Sequence, residues 1–155
     1  MSDQSFEPCT DTEMEQWLRS IIRAAPTGIG VVKNRVLFQV NEKICEMTGY
    51  TSDELTGQIA RMLYPTQEDF DYVGHEKYRQ IHQKGTGTVE SKWLCKDGRI
   101  IDVLLSSTPL DPDNLSKGVT FTALDISERK KAERRVLFYQ KRLQQLVSQL
   151  TISEE

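Results

Sequence analysis

From Asp11 onward the apolar residues fall into a helical rhythm, with Met14, Trp17, Leu18, Ile21, Ile22 and Ala25 on one stripe. Thr12 followed by Glu15 offers a capping box, and Pro26 stops the pattern, so an amphipathic helix is expected over 11–25. Residues 1–10 show no period and read as a loose arm. Two short β-rich runs follow, Gly28–Lys33 and Arg35–Val40, and Asn34 between them tolerates the positive φ of a tight hairpin turn.

Between Asn41 and Gly85 the β-branched density falls. Helical segments are expected over Glu42–Thr48, Ser52–Leu55 and Gln67–Gln83, punctuated by Gly49, Gly57, Pro65, Gly74 and Gly85. Strand patterns return at Thr88–Cys95, Arg99–Leu110 and Gly118–Ile126, separated by the turn Lys96-Asp97-Gly98 and a loop over Asp111–Lys117. Ile101, Val103, Leu105 and Ser107 follow one face at period two, as do Val119, Phe121, Ala123 and Asp125. The alternate residues Ile100, Leu104, Leu124 and Ile126 are apolar as well, so both sheet faces call for a cover. The helical insertion serves one face and an added helix or a second subunit the other, with the N-terminal stripe the obvious candidate. Which parity points inward stays open.

From Ser127 to about Thr151 the pattern is helical. Ala132, Val136, Tyr139, Leu143, Leu146 and Leu150 are spaced 4, 3, 4, 3, 4, a heptad seam that favours a two-stranded partner. A helix of about 25 residues spans roughly 37 Å at 1.5 Å per residue, so it must leave the body, and the simplest partner is the same helix in a second copy. The reading is an α+β chain: a five-stranded antiparallel sheet with a helical insertion over 26–126, an N-terminal cap helix over 11–25 and a coiled-coil signalling helix over 127–155.

Composition narrows the class. A chain of 155 residues with 37% hydrophobic and 28% charged residues folds as one domain with attachments and is not disordered. No apolar run approaches the roughly 20 residues that cross a bilayer, and the acidic N-terminus is no signal peptide, so a cytoplasmic location without membrane contact is expected. Cys9, Cys45 and Cys95 form no CxxC pair and read as free thiols. The net charge of -3 hides a basic tail, with seven Lys and Arg against four Glu from Glu128 onward. Those charges lie among heptad positions without interleaved aromatic residues, which points to a solvated face and not to nucleic acid.

The order of elements resembles the PAS fold, and three words in the chain match that family. Asn41–Gly57, NEKICEMTGYTSDELTG, resembles its helical signature; KDGR at 96–99 resembles the hairpin between its third and fourth strands; ALDISERKKAE at 123–133 resembles the Asp-Ile-Thr ending that leads into a signalling helix, with Ser127 keeping the hydroxyl. The resemblance covers about residues 14–133. It implies a sensory domain with no catalysis of its own, dimeric through its C-terminal and N-terminal helices. YQKRLQQLVSQLTISEE, 139–155, is similar to the segment before the phosphoacceptor helix of histidine kinases that serve helix-turn-helix response regulators. That implies a parent histidine kinase, with kinase domains downstream in the same chain and then a response regulator. A dimerising scaffold without ligand, or a sensor of a cyclic-dinucleotide synthase or transcription factor, are the alternatives.

The resemblance also assigns candidate sites. Asp125, Ile126 and Ser127 stand where a strand becomes a helix, and the side-chain oxygens of Asp125 and Ser127 can accept from the free N–H groups of its first turn. This junction is the expected signal relay. A small-molecule pocket between sheet and insertion would draw on Ile44, Met47, Phe70, Tyr78, Ser107, Phe121 and Ala123, for each of which plain core packing is the simpler expectation; Phe38, Tyr50 and Trp93 are likewise expected in the core. No cofactor is assigned. The flavin word with its reactive Cys is missing from 58–67, so covalent flavin is not expected. His75, with Tyr78 three residues on, is roughly in the register of a heme ligand, but the accompanying Arg-rich strand is absent, so heme is not expected. His75 and His82 complete no metal site or catalytic triad, and no metal is assigned.

Overall fold

The computed structural model describes residues 10–153; the expected loose arm lies outside the described residues apart from Thr10. Helix α1 (Asp11–Ala24) precedes the hairpin of β1 (Gly28–Lys33) and β2 (Val36–Val40). Helices α2 (Glu42–Thr48), α3 (Ser52–Leu55) and α4 (Gln67–Lys84) follow, with a 3-10 turn at Ala60–Leu63. Strands β3 (Gly87–Leu94), β4 (Ile100–Pro109) and β5 (Val119–Asp125) lead into α5 (Ser127–Ser153). All pairings are antiparallel, in the order β2-β1-β5-β4-β3.

The parity left open by the chain resolves to the odd residues of β4 and β5. Ile101, Val103, Leu105, Ser107, Val119, Phe121 and Ala123 are all buried beneath the helical insertion. Their order follows from register, since Ser107 pairs with Phe121 and Leu105 with Ala123, so the inner row of one strand meets that of the next. Helix α4 closes the layer with Val73, Gly74, Lys77 and Ile81, which recur at helical spacing on one face.

Asn41 ties three elements together. Its Oδ1 accepts from the N–H of Ile44 in the first turn of α2 (3.2 Å) and from that of Ile29 in β1 (2.9 Å). Its Nδ2 donates to the carbonyls of Thr27 (3.2 Å) and Ile22 (3.3 Å), fixing the linker from α1. A side chain that is 9% exposed thus satisfies its hydrogen-bonding groups while capping a helix.

Four expectations are corrected. The capping box of α1 is Thr10 with Glu13, not Thr12 with Glu15. The same spacing occurs twice, and the earlier pair starts from an extended Thr10 and places Asp11 and Glu13 in the first turn, where negative charge meets the positive end of the helix dipole. Arg35 belongs to the hairpin turn and not to β2, because Asn34 (φ 50°) and Arg35 (φ 62°) both take the left-handed conformation of a two-residue turn. Phe38 is 53% exposed on the edge strand β2, where the Lys33 ammonium lies 3.9 Å from its ring centroid. Finally, α1 does not cover the outer sheet face of its own chain. Its polar residues Gln16, Arg19 and Arg23 share a cleft with Gln39 and Glu42, and the apolar stripe is exposed, Trp17 at 62%. The outer residues Ile100 and Leu124 remain exposed too, whereas Ile126 is buried at the start of α5.

The fourfold bonding of Asn41 predicts that Asn41→Ala lowers unfolding free energy by about 1–3 kcal/mol, because a cap is lost and buried backbone groups lose partners. Urea denaturation at neutral pH measures the difference; a change below about 0.5 kcal/mol would contradict it.

Candidate functional site

Between the inner sheet face and α4 lies a cavity of about 30 Å³, room for about two water molecules by the usual volume criterion. Its walls are largely apolar, from Val32, Leu37, Leu63, Val73, Val89 and Leu105, with Tyr64, Trp93 and Phe121 adding aromatic surface. Into this lining project two cations, Arg35 from the β1–β2 turn and Lys77 from α4. Among the described residues no carboxylate lines the cavity.

Lys77 is 7% exposed. Burial first, and repulsion from Arg35 second, push its ammonium down to about 8. The groups facing it that can titrate are Arg35, Tyr64 and Tyr78, whose ring centroid is 5.2 Å from Nζ; the lining residues of β3, β4 and β5 carry none. Its backbone is locked against β3, since a Cβ at Gly87 would lie 2.7 Å from the Lys77 carbonyl oxygen. Arg35 lies flat against Phe70, 3.4 Å from the ring centroid, a cation–π contact that offsets part of its desolvation. On its other side is Gly74, where a Cβ would come within 2.5 Å of Arg35 Nη1. Burial lowers the Arg35 pKa, and burial raises that of Tyr64 against the opposing effect of the Trp93 indole and Arg35. Trp93 Nε1 is fully buried and makes no well-formed hydrogen bond among the described residues, with the Tyr64 hydroxyl as the group beside it.

Of the seven expected pocket residues, only Ser107 and Phe121 line this cavity. Ile44 is sealed in the core, against Gly28; Met47 uses its carbonyl to accept from the Cys95 thiol at 3.3 Å; the Ala123 carbonyl accepts from Thr27 Oγ1 at 2.8 Å. Phe70 supports Arg35 and meets Tyr64 edge-on, and Tyr78 borders an outer cleft shared with Arg35, Asp71 and His75. These five therefore pack around the cavity without lining it. His75 and His82 are both exposed, and His75 lies in the outer cleft. Tyr50 packs against the core as expected, and Trp93 is buried there.

The strand-to-helix junction is bonded differently from the expectation in one respect. Asp125 Oδ1 accepts from Ser127 N–H at 2.9 Å, a local turn that satisfies the first residue of α5. Ser127 Oγ does not cap the helix; it accepts from the Asp102 N–H of β4 at 3.0 Å. Ile126 N–H donates to the Asp102 carbonyl at 2.9 Å, so the junction grips one residue of β4 from both sides. The Asp102 carboxylate then reaches Lys92 (3.2 Å) and Arg134 (3.5 Å), while Glu90 of β3 pairs with Arg129 (2.6 Å) and Lys130 (2.5 Å) of α5. Asp102 carried no sequence signal beyond being a charge on the outer row of β4.

A family model described as PAS domain matches residues 26–128, from the first residues after α1 to the first turn of α5. The chain belongs to the PAS domain family. Sensor protein TdiS of Thauera aromatica is 30% identical to the PAS chain over 151 residues, 97% of this chain but 26% of TdiS, so the chain spans about a quarter of that relative. The PAS domain of a LuxR-family transcriptional regulator from Burkholderia thailandensis, solved in complex with ethanol, superposes with a TM-score of 0.65 at 18% identity, covering 70% of this chain and 96% of that one. A domain of a sensory box sensor histidine kinase/response regulator from Geobacter sulfurreducens gives 0.60 at 22% identity, covering 75% and 97%. This is a signal-sensing domain homologous to sensor proteins, and no helix among its described residues is long and apolar enough to cross a membrane.

The buried ammonium of the PAS core has a consequence for stability. Folded Lys77 releases its proton near pH 8, unfolded Lys near 10.4, so between those values the unfolded chain holds the extra proton and stability rises with pH. The full gain is about 3 kcal/mol. Lys77→Met removes it: denaturation curves should show the variant more stable than the parent at pH 7 and the gap closing by pH 10. Parallel pH profiles would refute the assignment.

Proposed function

We propose that this PAS domain is the cytoplasmic input module of a sensor histidine kinase, dimeric through α5, with Asp125, Ile126 and Ser127 relaying a conformational signal from the sheet to that helix. The observation that carries the reading is α5 itself. It has 27 residues, about 40 Å at 1.5 Å per residue, and every residue from Lys131 to Ser153 is exposed. Such a rod with the seam Ala132, Val136, Tyr139, Leu143, Leu146 and Leu150 in water calls for a partner, and a second copy supplies an identical seam. Val147 flanks the seam and widens the face, and the exposed stripe of α1 adds a further apolar surface for the dimer.

The histidine-kinase output is supported by the likeness to TdiS and to the Geobacter sulfurreducens sensor kinase domain. On this reading kinase domains follow in the same protein and phosphorylate a response regulator, while this domain catalyses nothing. A ligand that enters the cavity shifts β4 and β5, and the grip of the junction on Asp102 turns that shift into a change at the root of α5. The small size of the cavity favours a second reading, a filled-core dimerisation scaffold that binds no ligand.

Two measurements test the proposal. Sedimentation of the 155-residue chain should give a dimer, with Leu143→Glu/Leu146→Glu monomeric over the same concentrations; a parent chain that stays monomeric defeats the dimer reading. In the full-length kinase Asp125→Ala should leave basal autophosphorylation within about twofold and abolish its dependence on signal, at a stability cost of about 1 kcal/mol for the lost turn. Unchanged regulation would remove the junction from the relay.

A further inference from the structure

We propose that the cavity beneath α4 is a receptor site for a small organic carboxylate of acetate size, its anionic head held by Lys77 and Arg35 and its carbon part against Trp93 and Phe121; this rests on the reading of the domain as a ligand sensor. The charged groups that line the cavity make a one-sided set. Lys77 and Arg35 can only donate, and the Tyr64 hydroxyl that lies beside Arg35 and the Trp93 indole is the uncharged acceptor among them. Ser107, 3% exposed, adds a hydroxyl to the lining. A carboxylate only accepts, through two oxygens with about four lone-pair sites, and is the group that answers such donors with charge-assisted bonds.

Charge balance points the same way. The nearest carboxylate acting on Arg35 is Asp71, in the outer cleft, and among the described residues none reaches the cavity. Two cations in one largely apolar pocket carry a desolvation cost that an incoming anion offsets by its charge and a neutral alcohol or amide does not. The volume of about 30 Å³ sets the size of the occupant, and the apolar aromatic walls suit a carbon tail better than a fully oxygenated inorganic anion. Access is built in as well. Arg35 lines both the cavity and the outer cleft, so its side chain, resting on Phe70 and Gly74, is the partition a ligand must move.

Acetate is titrated into the purified chain against acetamide, its uncharged counterpart, and ethanol, with calorimetry and amide NMR shifts as readouts. Acetate should bind at least about tenfold more tightly than acetamide, shift the Trp93 indole resonance, and weaken as pH rises through about 8 and Lys77 loses its charge. Lys77→Met should lose acetate at least about tenfold and leave acetamide unchanged. Gly74→Ala keeps α4, since Ala is about 1 kcal/mol better than Gly in a helix, yet its methyl displaces the Arg35 guanidinium, so acetate affinity should again fall severalfold. Acetamide binding as tightly as acetate, or acetate affinity unmoved in Lys77→Met and Gly74→Ala, overturns the carboxylate assignment. If ethanol or acetamide alone shifts the cavity resonances, the carboxylate fails and the ligand-sensor reading stands; if none of the three does, both fail.

Discussion

The alternation of side chains along β4 and β5 is the constraint from which the rest of the molecule follows. Period two assigns Val103, Leu105, Ser107, Val119, Phe121 and Ala123 to the inner face, and antiparallel register lines them up in one layer. That layer must be covered, and the insertion between β2 and β3 supplies α2, the 3-10 turn and α4 for it. The same alternation sends Ile100, Leu104 and Leu124 outward, where Ile100 and Leu124 are exposed and Leu104 is half-buried among the described residues. A single rule therefore yields both the enclosed cavity and the open apolar face.

What covers the inner face is not wholly apolar, and this is the second feature that shapes the domain. A buried ammonium and a half-buried guanidinium stand in one pocket that no carboxylate lines among the described residues, against the usual pairing of buried ions. The surrounding structure bends to accommodate them. Gly74 weakens α4 by its missing side chain but leaves room for Arg35, Phe70 lies under the guanidinium, and Arg35 itself takes a left-handed conformation that places its side chain at the pocket mouth. Local departures from helix and turn preferences thus converge on one spot, which is where function-related compromise is expected.

Much of the fold was legible because its signals are local. Asn41 before a helix, the Asn34 turn, the KDGR hairpin and the heptad of α5 each announce an element through a few neighbouring residues. The pocket was not legible, for a physical reason. Lys77 belongs to the buried face of α4, but a lysine in a helix reads as solvated, and only the packing of α4 on β3 places it inside. Arg35 likewise looked like the first residue of a strand until the turn claimed it. Ile44, Met47 and Ala123 are buried but do not line the void, because apolar pattern marks burial and does not distinguish a wall from a plug. Ser127 was read as a cap because its position allows one, and the competing acceptor site on β4 is visible only in three dimensions.

The two ends of β4 connect these observations. Ser107 lines the cavity and Asp102, five residues away, is held by the junction, a separation of about 17 Å along a strand at 3.4 Å per residue. Phe121 and Asp125 bear the same relation on β5, paired to β4 at Ser107 and Val103. Hydrogen-bonded strands slide or tilt as units more readily than they stretch, so in the proposed relay a displacement imposed at the cavity end would be carried to the junction end. There the buried Ile126, the bond from Ser127 to Asp102 and the ion pairs of Glu90 and of Arg134 with Asp102 fix the first two turns of α5 to the outer face, whereas every described residue of the helix beyond Arg134 is exposed. A rod clamped only at its root amplifies any rotation of that clamp along its length. In the proposed relay the coupling would pass through a few residues whose bonds can be cut one at a time.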